Sequence, residues 1–154
     1  MSTTVTWIAL IATDLNDYLV AEQLDALRSE ALAPGQADPF TKIAADVINK
    51  VRSYIASNPN NLVSSTPLLI PPELKIDVAY LVLAPLLGRL GIALTKDQDK
   101  QLDLAHSTLI ALREKKLLVS KPDDAVLPAV QGSTGVELAS PGNRKATSKS
   151  LSGI

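Results

Sequence analysis

The chain has no cysteine, a single histidine (His106) and only five aromatic side chains, Trp7, Tyr18, Phe40, Tyr54 and Tyr80, in 154 residues. Without cysteine there are no disulfides, no thiol nucleophile and no thiolate metal site. A single histidine excludes a histidine-only metal centre and a multi-histidine acid–base site. With 46% hydrophobic residues and so few rings, the core has to be filled by Leu, Val, Ile and Ala. That composition favours close-packed helices over an aromatic-rich β-sandwich. The length is that of one ordinary domain. Met1 to Leu10 shows no basic leader pattern, so no targeting segment is expected. The longest uncharged apolar run, Val78 to Gly88, falls well short of the ~20 residues of a membrane span, so a soluble protein is expected.

The net charge is −1, but it is spread unevenly. Residues 1–38 hold six acids (Asp14, Asp17, Glu22, Asp25, Glu30 and Asp38) against Arg28, a balance of −5. Residues 39–119 carry +3 and residues 120–154 carry +1. Such polarity does little for folding, but it suits one copy docking its acidic part on the basic flank of the next.

Hydrophobic spacing predicts four helices. Thr3 to Ile11 alternates loosely and reads as a short extended arm. From Thr13 a helical stripe begins with Leu15, Leu19, Val20, Leu24, Leu27 and Ala31, and Ala33-Pro34-Gly35 ends it. Asp14 and Asp17 fall in its first turn, where they complement the positive end of the helix dipole. In the second helix Asp38 is an N-cap with Pro39 at the first helical position. Phe40, Ile43, Ala44, Val47, Val51, Tyr54 and Ile55 then mark one face, and the helix is expected over 39–57. Asn58-Pro59-Asn60-Asn61 breaks the chain.

A third helix starts at Pro71-Pro72 and is apolar nearly all round from Val78 to Leu87, which predicts a central helix with Val78, Leu81, Val82 and Leu86 in the core. Pro85 inside it is expected to kink or interrupt it unless packing compensates. Gly88 and Gly91 close it. Thr95 and Gln98 match a capping box for a fourth helix, expected over 96–117 with the stripe Leu102, Ala105, Leu109 and Leu112. After Pro122 the period is lost among Pro, Gly, Ser and Thr, and the apolar content is too low for independent folding. Val126, Leu127, Val136 and Leu138 are spaced to dock an extended arm on a partner. The expected fold class is therefore all-α. It is a small four-helix bundle over 13–119, with a short extended N-terminal arm over 1–12 and a long extended C-terminal arm over 120–154.

Catalytic patterns are missing. His106 neighbours Ser107 on a helix, where the two side chains diverge, and no G-x-S-x-G elbow occurs. Asp97, Asp99 and Asp103 lack the glycine turn and terminal glutamate of a calcium loop, and first-turn dipole matching accounts for them. Gly88-Arg-Leu-Gly91 lacks the frame of a phosphate loop. Arg113, Lys115, Lys116 and Lys121 form a basic group, as do Arg144, Lys145 and Lys149. No aromatic residue interleaves with either, so the nucleic-acid signal is weak. No catalytic residue, metal or cofactor is expected.

The order of segments carries a resemblance. A short acidic helix is followed by DPFTKIAADVINKVRSYIA (38–56), a proline-bearing loop, and IPPELKIDVAYLVLAPLL (70–87). A polar-started helix ending in Arg113 to Leu117 comes last. Over residues 11–119 this pattern resembles the head–tail connector, or neck adaptor, proteins of tailed bacteriophages, particularly the Mu-like neck family.

The resemblance implies a non-enzymatic virion protein at the head–tail interface, made in the host cytoplasm and assembled as a ring, usually of twelve copies. Its partners would be further copies of itself, the portal protein and a tail or tail-completion protein, with DNA passing non-specifically through the channel and no membrane involved. Asp14, Asp17, Glu22, Asp25, Arg113, Lys115, Lys116, Arg144, Lys145 and Lys149 are then the candidate subunit or channel contacts. The alternatives are a small helical DNA-binding or regulatory protein, and a cofactor-free enzyme or generic helical bundle.

Overall fold

The computed structural model describes residues 4–29 and 38–125. The segment 30–37 and the tail 126–154, with Arg144, Lys145 and Lys149, lie outside the described residues. The described chain is mainly helical. In order it runs β1 (Thr4–Val5), β2 (Ile8–Ala9), a 3-10 helix (Ala12–Tyr18), α1 (Ala21–Ser29) and α2 (Pro39–Ala56). It continues through β3 (Leu69–Ile70), a 3-10 turn (Pro72–Leu74), α3 (Lys75–Arg89), α4 (Lys96–Arg113) and β4 (Lys121–Pro122).

α3 packs between α2 and α4, and its Val78, Ala79, Leu81, Val82, Leu83, Leu86 and Leu87 are buried. α2 contributes Ala44, Ile48, Val51 and Ile55, and α4 contributes Ala105, Leu109 and Leu112. The apolar girth of α3 is the reason it sits centrally: a helix without a polar face is stable only when covered on several sides. Pro85 does not interrupt it. The helix runs on to Arg89, with Pro85 exposed while its neighbours Leu83, Leu86 and Leu87 are buried.

The predicted caps form. The Asp38 carboxylate accepts from the Phe40 amide at 3.0 Å and the Thr41 hydroxyl at 3.2 Å, with Pro39 opening α2. Thr95 and Gln98 form the capping box of α4. Gly91, at φ +70, ends α3 in a Schellman turn, the Ile92 amide donating to the Leu87 carbonyl at 3.0 Å.

Three expectations need correction. The first helix is not continuous from Thr13. It divides into the 3-10 helix and α1, with Leu19 extended at φ −98, ψ 142. The break is held by two glutamine side chains, one distant and one local: Gln98 Nε2 donates to the Tyr18 carbonyl at 2.8 Å, and the Val20 amide donates to Gln23 Oε1 at 3.3 Å.

The fourth helix ends at Arg113, four residues before Leu117. Lys115 turns left-handed at φ +62, and Asn58 and Asn61 donate to the Lys115 and Leu117 carbonyls, drawing the chain away from the helix axis.

The two segments expected as arms, 1–12 and 120–154, are built into the domain where they are described, residues 4–12 and 120–124 being paired or bonded to the rest of the chain. β1 pairs parallel with β4 (Thr4 with Lys121, Val5 with Pro122), and β2 pairs antiparallel with β3 (Ile8 with Ile70, Ala9 with Leu69). Trp7 and Leu10 are buried between these pairings and the helices.

Candidate functional site: two opposed ends

The connections fix which groups share an end of the helical stack. Gln23 Nε2 donates to the Ala93 carbonyl at 3.2 Å, which brings α1 to the start of α4. Leu24 and Leu27 of α1 face Pro39 and Phe40 of α2 and Leu86, Arg89 and Leu90 at the end of α3. The start of α2, the end of α3, the start of α4 and α1 therefore meet at one end. At the other end, Asn58 and Asn61, just past α2, bind the carbonyls that follow α4. Glu73, just ahead of α3, accepts from the Ser120 amide at 2.6 Å and the Ser120 hydroxyl at 2.9 Å. The three long helices run up, down and up.

The charged candidates separate accordingly. Glu22 and Asp25 are exposed on α1, with Asp38, Asp97 and Asp99 starting the adjoining helices, while Asp17, exposed on the 3-10 helix, is near enough to Lys75 at the start of α3 to help raise it. Arg89, Lys96 and Lys100 share this end, Lys100 lying 4.0 Å from Asp97. Arg113, Lys115 and Lys116 are exposed at the opposite end. Asp14 turns inward: its carboxylate accepts from Lys75 Nζ at 2.8 Å and from the Ile11 amide at 2.9 Å. The lysine bond and that amide hold the Asp14 carboxyl below its ordinary value, and the same bond raises Lys75. Lys116 is bridged to Glu114 at 2.6 Å, which raises the lysine and lowers the glutamate.

The acids at the basic end are engaged within the chain. Besides Glu73 and Glu114, Asp123 accepts from the Thr6 hydroxyl at 2.7 Å. Asp124 Oδ2 accepts from the hydroxyls of Ser64 at 2.7 Å, Ser65 at 3.0 Å and Thr66 at 2.9 Å, and from the Thr66 amide at 3.1 Å. Led by the Ser64 bond, these donors stabilise the carboxylate and lower Asp124 to about 2. Arg52 supports the same corner. Its guanidinium donates to the Leu69 carbonyl at 2.6 Å and the Ser64 carbonyl at 2.7 Å, and lies 5.7 Å from the Trp7 ring centre. Arg113 and Lys115 stand outside any ion pair among the described residues.

Two concavities accompany these ends. An apolar one of about 330 Å³ opens at the acidic end, walled by Leu15, Leu19, Leu24, Leu27, Phe40 and Leu86. A shallow one of about 300 Å³ lies along α2 and α4 between Lys50, Tyr54, His106 and Arg113. Its cations offer an anion a surface, but no nucleophile–base pair or carboxylate pair lines it. Among the described residues no three His, Cys, Asp or Glu side chains gather as metal ligands, and no helix is long and apolar enough to cross a membrane.

Sequence reasoning found the charge imbalance but missed the corner built by Arg52, Ser64, Thr66 and Asp124, because Asp124 lies 60 residues beyond Ser64. Comparison with family models, curated proteins and solved structures gives no match.

Proposed function

We propose that this chain is a structural assembly subunit, a head–tail connector of a tailed-bacteriophage neck. In that reading it oligomerises into a ring between portal and tail, and DNA crosses the ring's channel. α1 serves as the fourth helix of the bundle. The observation that carries the reading is the placement of Glu22 and Asp25 of α1, with Asp38, Asp97 and Asp99, at one end of the helical stack and of Arg113 and Lys115 at the other. Unlike ends on one molecule favour a heterologous, head-to-tail contact, and such contacts close into rings when the rotation permits. Opposed charges also steer the encounter between copies.

Sedimentation and negative-stain imaging of the full chain test this. Rings with a central channel at low salt, dissociating as ionic strength rises, are the expected result. A monomer at every concentration, a two-fold dimer, or sequence-specific duplex binding would overturn it, the last in favour of a regulatory DNA-binding protein.

A further inference from the structure

Lys50 and Tyr54 stand one turn apart on α2, and His106, Ile110 and Arg113 recur by turns on α4. The shallow groove between the two helices therefore gathers the polar ends of four side chains over an apolar floor. Leu109 is buried in that floor, and Ile110 is 48% exposed. No carboxylate lines the groove. Glu114, next to Arg113 in the chain, is held by Lys116 at 2.6 Å. Lys50 and Arg113 stand outside any ion pair among the described residues. Two exposed cations beside exposed apolar surface suit an anionic ligand with apolar surface of its own. Asp46 and Asp103, one turn ahead of Lys50 and His106, close off the cationic stretch. That makes it too short for a nucleic-acid backbone, which binds by having several phosphates neutralised in a row. It suits a pair of carboxylates about one turn apart.

α1 carries such a pair. Glu22 and Asp25 are exposed three residues apart on one face, with the exposed apolar Val20 and Ala21 immediately before them. Neither acid has an ion-pair partner among the described residues. Within one molecule the two surfaces stay apart. Gln23 of α1 is bonded to Gln98 at 3.0 Å, and Arg113 lies fifteen residues, or about 22 Å, further along α4.

We infer that the groove between α2 and α4 of one copy receives the Glu22–Asp25 face of α1 from a second copy of this chain. Lys50 and Arg113 meet the two carboxylates, and Val20 and Ala21 cover Ile110. The inference rests on the head-to-tail reading above and specifies its interface. The occupant is a second copy because the chain itself exposes unpaired acids beside apolar surface, complementary in charge to the unpaired cations beside apolar surface in the groove. The contact is heterologous, so every copy offers one acidic face and one groove.

The test uses two full-length double variants, Lys50→Glu/Arg113→Glu and Glu22→Lys/Asp25→Lys, with association followed by sedimentation velocity at low salt. All four positions are exposed, and circular dichroism checks that the fold persists. Each variant alone is expected to associate at least tenfold more weakly than the wild type. Mixed one to one, they regain wild-type association, because each reversed surface meets its reversed counterpart and each unchanged surface an unchanged one. If the wild type assembles and both variants assemble equally well, this interface is wrong and the ring reading survives. The inference is also overturned, with the ring reading intact, if only one variant loses association or if the mixture fails to regain it. A random-sequence DNA duplex that binds the wild type but not Lys50→Glu/Arg113→Glu, with assembly untouched, gives the groove to a phosphate backbone and overturns the inference. If the wild type never assembles, both fall.

Discussion

Gln23 and Gln98 form a reciprocal amide pair in the interior, each donating to the other's carbonyl oxygen at 3.0 and 2.8 Å. The remaining capacity of both amides is also used. Gln23 reaches the Ala93 carbonyl and the Val20 amide, and Gln98 reaches the Tyr18 carbonyl and the Thr95 amide. One pair of side chains thereby joins α1, α4 and the break after the 3-10 helix. Its full satisfaction makes burial of two amides tolerable.

Removing either member leaves buried groups without partners. Gln98→Ala and Gln23→Ala are each expected to cost about 1–3 kcal/mol in urea unfolding. The double variant should lose less than the sum, since the second substitution removes groups the first had already orphaned. Additive losses in the double-mutant cycle would contradict a coupled pair.

Leu81 is buried in the middle of α3. Leu81→Ala is expected to destabilise the domain by about 2–5 kcal/mol, as a lost core side chain and its cavity do. Denaturant melts showing a loss under ~0.5 kcal/mol would place this face outside the core.

The helix-ending turns at Gly91 and Lys115 share one backbone shape, φ +70 and +62, but differ in residue. Lys115→Gly should stabilise the protein by up to ~1 kcal/mol, because glycine enters the left-handed region without the Cβ penalty. Gly91→Ala should destabilise by about 1 kcal/mol through conformation alone, since a Cβ there meets nothing within 4 Å. Thermal melts of the two variants moving in the same direction would refute the shared motif.

Asp124, held at about 2 in the fold, has an ordinary value near 3.9 when unfolded. A depressed carboxyl contributes stability that is fully present above the unfolded value and lost as pH falls through the folded one. The stability difference between wild type and Asp124→Asn should therefore be flat above pH ~4 and shrink between ~4 and ~2. Chemical denaturation of both proteins across that range measures it, and a difference independent of pH would remove Asp124 from the acid response.

The long helices were legible because their determinants are local. Asp38-Pro39 starts α2, Thr95 and Gln98 start α4, and the apolar girth of Val78 to Leu87 makes α3 central. What escaped was set by distant partners. Nothing near Leu19 announces that Gln98 will take the Tyr18 carbonyl, and nothing near Thr4 announces Lys121. Two-residue strands carry too little periodicity to be read at all. Of the candidate contacts, the sequence showed that acids precede bases. That Asp14 turns inward to Lys75 is set by tertiary packing, and that Asp38 and Arg113 lie at opposite ends follows from the up–down–up path of the helices.

The pairing of β1 with β4 has a kinetic side. Thr6 and Asp123, beside it, are 117 residues apart, so the closing of this loop carries nearly the largest chain-entropy cost the described fold contains. Contacts of neighbouring segments, such as α3 with α4, close far shorter loops and form ahead of it. The strap from Ser120 to Asp124 is then a late event in folding and an early one in unfolding. Substitutions in Thr4, Thr6 or Asp123 act on how fast the native state opens and leave the rate at which the helices assemble nearly unchanged.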